Sequence, residues 1–153
     1  MKQFIIGTLF GIALTVVTTA GLMPKLMLSQ KESPLGYEET ITHIQSKAES
    51  SGWKVSAVMR LDKSLAKEGR TVRPVAALKI CQPDHAEKVL LDDDARFLSV
   101  MMPCSIAVYE KADGKTYIST MNAKLLGKMF GGTVAEVMAG PVAKETAEFV
   151  QFE

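Results

Sequence analysis

An uncharged segment near the N-terminus constrains this chain most. No charged residue lies between Lys2 and Lys25, and Phe4–Met23 comprises 20 residues whose only polar members are threonines. Twenty helical residues rising about 1.5 Å each match a hydrocarbon core of about 30 Å. Signal-peptide cores are shorter, about 7 to 15 apolar residues, and Thr18-Thr19-Ala20 is a poor cleavage site. The sequence therefore predicts an uncleaved transmembrane anchor in residues 1–25, in preference to a cleaved signal peptide or a buried soluble helix.

The large apolar side chains of this predicted anchor are Phe4, Ile5, Ile6, Leu9, Phe10, Ile12, Leu14, Val16, Val17 and Leu22. The flanking positive charges differ little: Lys2 lies on one side, and Lys25 and Lys31 lie on the other. The positive-inside rule therefore predicts almost nothing about orientation. A short basic N-terminus, an apolar helix and one following domain form the usual signal-anchor arrangement. By that analogy we expect a single-pass protein of a prokaryotic cytoplasmic (inner) membrane, with its domain on the extracytoplasmic side and the lipid bilayer as its first partner.

The rest of the chain has the size of one domain. Of its 153 residues, we assign 26–35 to a juxtamembrane linker or an edge strand, and 36–153 to a single domain with a helical C-terminal segment. A net charge of +1 provides no general field to attract nucleic acid, so we expect no nucleic-acid partner. Two cysteines do not make a disulfide scaffold.

Local patterns predict interleaved helices and strands. Tyr37, Ile41, Ile44 and Ala48 recur at helical spacing before a stop at Gly52. Residues 53–59 and 74–80 alternate like strands, with a short helical turn between them starting at Asp62 or Ser64. Pro83 opens another helix, the acidic run 92–94 ends it, and residues 95–101 form a short helical piece.

A hairpin is the clearest local signal. The β-rich runs 104–110 and 115–121 flank Asp113-Gly114, a favoured hairpin turn. Residues 122–149 have helical spacing, interrupted at Gly131-Gly132 and at Gly140-Pro141. The sequence therefore predicts an α+β class: a two-layer domain in which helices pack on a hairpin-containing antiparallel sheet.

Several short elements in this order resemble the domain-of-unknown-function family 302. They are Gly36-Tyr37-Glu38-Glu39-Thr40, Arg73-Pro74, Cys81-Gln82-Pro83 with Ala86 and Leu90, Met102-Pro103-Cys104, and Val108-Tyr109-Glu110. The residues 23–27 (MPKLM) and 127–132 (GKMFGG) resemble its membrane-anchored subset. The resemblance implies a compact α+β fold that tends to form homodimers, and it implies no activity.

The two cysteines carry the chemistry that the sequence offers. Cys81 ends a predicted strand just before the helix opened by Pro83, where unpaired backbone N–H groups would stabilise a thiolate. Cys104 is in phase with Ile106 and Val108, which is typical of a small buried residue. Strand phase alone does not place both sulfurs on one face. Burial of two free thiols, a disulfide and a shared ligand site all stay open.

A shared site would draw on the neighbours of the two cysteines. The candidate ligand or metal residues are Cys81, Cys104, His85, Met101 and Met102. Thiolate, thioether and imidazole together suit a soft metal such as Cu(I), or a haem iron. The simpler interpretation of His85, and of His43, is an exposed helix residue. The cofactor itself is not identified by the sequence.

Three functional hypotheses follow. The first is a membrane-tethered, dimeric binding or accessory module, which we favour because no catalytic motif and no general base near either cysteine is visible. The second is a thiol-dependent redox enzyme that uses Cys81. The third is a structural subunit of a membrane complex.

Overall fold

The computed structural model describes residues 26–152, so the predicted anchor in residues 1–25 lies outside the described part. The strands are β1 (Leu28–Glu32), β2 (Lys54–Arg60), β3 (Val75–Cys81), β4 (Cys104–Glu110) and β5 (Thr116–Met121). The helices are α1 (Tyr37–Ser50), α2 (Leu61–Lys67), α3 (Pro83–Leu91), α4 (Ala123–Phe130), α5 (Gly132–Val137) and α6 (Ala143–Phe149). A 3-10 helix (Arg96–Met101) follows α3, and a π-type segment (Met138–Val142) joins α5 to α6.

The five strands form one sheet in the order β1-β5-β4-β3-β2, and every neighbouring pair is antiparallel. The predicted α+β class with an antiparallel sheet is confirmed. The segment left open between a linker and an edge strand contains β1, which pairs along its whole length with β5.

Helices cover one face of this sheet. Along β3, buried and half-buried residues alternate, as expected when one face is packed and the other is not. The buried apolar residues of the sheet are Ala76, Leu78, Ile80, Ile106, Val108 and Ile118. Helix α1 packs on this face with Ile41, Ile44 and Ala48, the residues whose spacing predicts the helix.

The interruptions predicted within the C-terminal helical region occur in the structure. Gly131 and Gly132 adopt positive φ values of 73° and 51°, a region that favours glycine, at the junction where α4 ends and α5 begins. Gly140 has a non-helical backbone inside the π-type segment, next to Pro141. The hairpin turn is closed by a bond in which the Gly114 N–H donates to the Lys111 carbonyl at 3.1 Å.

Within residues 26–152, no helix combines the length and the apolar composition that a membrane crossing requires.

Candidate functional site

Both cysteines lie at one end of the sheet. Cys81 is the last residue of β3 and Cys104 is the first residue of β4, and the register of these antiparallel neighbours pairs Ile80 with Cys104. Both cysteines are free and half-buried. Chain direction alone therefore brings the two positions together, although they are far apart in sequence.

The two cysteines line the same cavity, which strand phase left undecided. Cys104 shares the helix-covered face with Ile80, while Cys81 reaches the cavity from the final position of its strand. Met101 and Met102 also line it, and the peptide bond between Met102 and Pro103 is cis. His85 lines it as well, which means that all five candidate residues border one space.

The cavity is narrow and apolar. Its volume is about 30 Å³, room for one or two water molecules. Trp53, Val89, Leu98 and Met138 contribute to its walls. An ion fits such a space, whereas haem would require the walls to separate, because sites for molecules of drug size occupy about 300 Å³ or more.

Burial controls the ionisation of Cys104. Desolvation by burial, followed by the Coulombic interaction with the neighbouring Cys81, raises the pKa of Cys104. The thiol of Cys104 is therefore neutral near pH 7. A metal that binds it as a thiolate must displace a proton.

His85 is positioned by the start of α3. Pro83 occupies the first turn, where proline is favoured. The side-chain oxygen of Gln82 accepts a hydrogen bond from the His85 backbone N–H at 2.9 Å, so Gln82 caps the helix although glutamine is not among the preferred N-cap residues. The His85 side chain is only 18% exposed, so its interpretation as an exposed helix residue is wrong. His43 is half-buried too, with its ring stacked on Phe152.

Glu145 is the residue that sequence reasoning missed. Its carboxylate lies 3.2 Å from Nε2 of His85 and accepts a hydrogen bond from Trp53 Nε1 at 2.6 Å. Trp53 is buried and lies edge-on to the His85 imidazole. These partners are 60 and 92 residues apart in the chain, and no local pattern signals contacts over such separations.

No group of three or more His, Cys, Asp or Glu side chains able to hold a metal ion occurs within residues 26–152. A metal at this cavity would therefore need the methionine sulfurs or a low coordination number. That requirement narrows the choice of metal to one that accepts thioether ligands.

Fold and site together define a class: an α+β domain with a narrow, sulfur-lined apolar cavity at one end of an antiparallel sheet. The chain belongs to the family described as Domain of unknown function DUF302, whose family model matches residues 29–151.

The fold has a solved relative. The crystal structure of an uncharacterized conserved protein DUF302 from Bacillus stearothermophilus is similar, with a TM-score of 0.71 and 21% sequence identity. The match covers 82% of this chain and 96% of that protein. No curated protein matches the chain.

Proposed function

We propose that this protein is a membrane-tethered binding or accessory module that holds Cu(I) at the cavity between Cys81 and Cys104. The observation that carries the proposal is the meeting of two free thiols and two methionines in one apolar cavity. Thiolate and thioether ligands select soft metals such as Cu(I). The small volume suits an ion and disfavours a larger ligand.

The environment of His85 supports its participation. A histidine that binds a metal commonly donates its other ring N–H to a carboxylate, which fixes the tautomer and the ring orientation. Nε2 of His85 faces Glu145, so Nδ1 is the nitrogen left for a ligand. Trp53 in turn donates to the same carboxylate and holds it in place.

The tether and the assembly state belong to this proposal. The uncharged segment Phe4–Met23 supports a single membrane-spanning anchor, and the resemblance to the membrane-anchored subset supports retention of that anchor. The signal-anchor arrangement supports an extracytoplasmic domain at the cytoplasmic membrane. Resemblance also supports a homodimer. A larger membrane complex, to which the domain would contribute structure, is the further partner that such a tether would allow.

A Cu(I) titration tests the site. The full chain in detergent, kept anaerobic and reduced, is titrated with Cu(I) against a chromophoric Cu(I) chelator. We expect tight binding that Cys81→Ser and Cys104→Ser each abolish. Glu145→Gln should weaken it about 10- to 100-fold, since it removes the carboxylate that orients His85.

Met129→Leu is the matched control, because Met129 is exposed and does not line the cavity. Its affinity should equal that of the wild type. Unaltered Cu(I) binding in both cysteine variants would remove the site that we propose.

One observation favours a second function, a thiol-dependent enzyme. Glu145 orients His85 in the cavity that Cys81 lines, which supplies the base that was not visible in the sequence. The test is the alkylation rate of Cys81 against pH in Cys104→Ser. An inflection well below about pH 8.5 that His85→Ala abolishes supports this function, whereas the profile of a free thiol rejects it.

A further inference from the structure

Four large apolar side chains form an exposed patch beside the cavity. Phe97 and Val100 are 55% and 86% exposed, and Met129 and Phe130 are 53% and 46% exposed. The rings of Phe97 and Phe130 meet edge to face with centroids 5.5 Å apart. We call these four residues the apolar patch. The contact between Phe97 and Phe130 joins the two pairs of residues, and exposed apolar side chains grouped in this way mark an interaction site.

The patch has a simple structural basis. Residues three apart eclipse on a 3-10 helix, so Phe97 and Val100 share one ridge. Leu98 and Met101 of the same helix line the cavity instead. The 3-10 helix therefore separates the cavity from whatever covers the patch.

The start of the described chain, at Leu26, lies at one end of the helix that carries half of the apolar patch at its other end. The side chain of Asn122 donates to the Leu26 carbonyl at 2.9 Å, and its backbone N–H donates to the Met27 carbonyl at 2.8 Å. Helix α4 starts at this point and runs for about 12 Å to Phe130. Leu26 follows the uncharged segment Phe4–Met23 after two residues. The N-terminal end of α4 therefore contacts the start of the described chain, and its C-terminal end carries Met129 and Phe130 of the apolar patch.

The surface between these ends also suits a bilayer. Leu26 and Leu28 are exposed. Lys124 and Lys128 are exposed on one side of α4, four residues apart, where each can attract anionic headgroups. The negative charge of the acidic run 92–94, close to Phe97, is partly neutralised, because Asp93 forms an ion pair with Arg96 at 3.0 Å. Apolar insertion, with the lysines at the headgroups, is the mode that this arrangement favours.

We infer that α4 and the 3-10 helix lie on the surface of the membrane that holds the anchor. The apolar patch then enters the headgroup region, as interfacial aromatic residues do. The inference rests on the tether in the proposed function and adds to it a fixed orientation of the domain. One side of the 3-10 helix faces the cavity and the other faces lipid.

Tryptophan quenching tests the orientation. The full chain is reconstituted in vesicles of phosphatidylcholine and phosphatidylglycerol, with and without brominated acyl chains, which quench nearby tryptophan. Phe97→Trp and Phe130→Trp should each lose much of the added emission in brominated vesicles. Val72→Trp is the matched control. Val72 is 44% exposed and lies just before Val75, the first residue of β3, whereas Cys81 is the last residue of that strand. Its emission should not change.

Two results would overturn the inference, and they are distinguishable. If the protein stays with the vesicles through an alkaline wash but neither tryptophan at the patch is quenched, the surface assignment fails and the tether stands. If the wash removes the protein, the tether fails and the orientation fails with it. Native Trp53 is buried, so it contributes a constant background. The two patch positions are exposed, and quenching at either one in a folded variant supports the inference.

Discussion

The ionisation of the Cys104 thiol makes the free energy of unfolding depend on pH. Burial, and secondarily the Coulombic interaction with Cys81, raise the pKa of Cys104 in the folded chain. The folded state therefore keeps this proton at a pH where the unfolded state, with an ordinary thiol, has lost it. The stabilisation is complete below about pH 8.5 and disappears as pH rises from there through the raised pKa of the folded state.

We therefore expect the free energy of unfolding of the wild type to decline above about pH 8.5 more steeply than that of Cys104→Ala. Urea unfolding of both full chains in detergent, followed by Trp53 fluorescence at pH 7 and pH 9.5, measures the difference. Cys81→Ala is the control and should keep a steeper decline than Cys104→Ala. Equal slopes in wild type and Cys104→Ala would contradict the prediction.

Gly127 is a second residue with a specific physical role. A Cβ at this position would lie 2.7 Å from the backbone nitrogen of Ala139 and 3.0 Å from Cβ of Met138. Since the nearest atom belongs to the backbone, α4 must separate from the π-type segment to relieve the clash. Gly127→Ala should destabilise the chain by about 1–3 kcal/mol, although alanine favours a helix over glycine by about 1 kcal/mol.

Gly36→Ala is the matched control for Gly127→Ala. Gly36 has an extended backbone with φ −64° and ψ 168°, and its nearest neighbour to an added Cβ lies 3.6 Å away. The cost should stay below about 1 kcal/mol, because the only expected loss is the advantage of glycine over alanine as an N-cap residue. Urea midpoints of the two variants compare the effects, and an equal loss in both would reject the close approach as its cause.

At the scale of the element, Asn122 connects α4 to the start of the described chain. Its Oδ1 accepts the Leu125 N–H at 3.1 Å as an N-cap, while its Nδ2 donates to the Leu26 carbonyl. Asn122→Asp preserves the cap, since aspartate is an equally good N-cap, but its carboxylate cannot donate to Leu26. We expect Asn122→Asp to keep the stability of α4 while residues 26–28 exchange amide hydrogens faster.

Asn122→Ala completes this comparison. It removes both interactions, so it should also cost about 1 kcal/mol through the lost cap. Hydrogen exchange at residues 26–28 and along α4, measured for both variants, separates the two roles. If Asn122→Asp left exchange at residues 26–28 unchanged, the backbone bond from Asn122 to Met27 would suffice to hold the segment.

Elements were predictable where their signals are local. The apolar spacing of Ile41 and Ile44 in α1, Pro83 at the start of α3 and Asp113-Gly114 in the hairpin each act within a few residues. The site was predictable only in part. Both cysteines, His85 and the methionines were candidates, yet their meeting depends on the pairing of β3 with β4, and the partnership of His85 with Glu145 depends on how α6 docks.

β1 forms one edge of the sheet and helps to hold the whole domain together. It hydrogen-bonds to β5 from Leu28 to Glu32, and Lys31 donates to the Val150 carbonyl after α6. Just beyond β1, the hydroxyls of Ser33 and Thr40 lie 2.7 Å apart in a buried pair that ties the strand to α1. The first strand and the serine that follows it therefore contact β5, α1 and the residue after α6.

Two truncations test this role. A chain that begins at Leu26 retains β1 and should unfold cooperatively, whereas a chain that begins at Gly36 loses it and exposes the backbone of β5 as a new edge, which invites association. We expect a lower urea midpoint and concentration-dependent aggregation for the shorter chain, measured by Trp53 fluorescence and size-exclusion chromatography. Equal midpoints would mean that residues 26–35 behave as a linker. Replacing Lys31 with methionine in the longer chain removes the bond to Val150 and the cation–π contact with the Phe152 ring. It should lower the midpoint far less than removal of the strand.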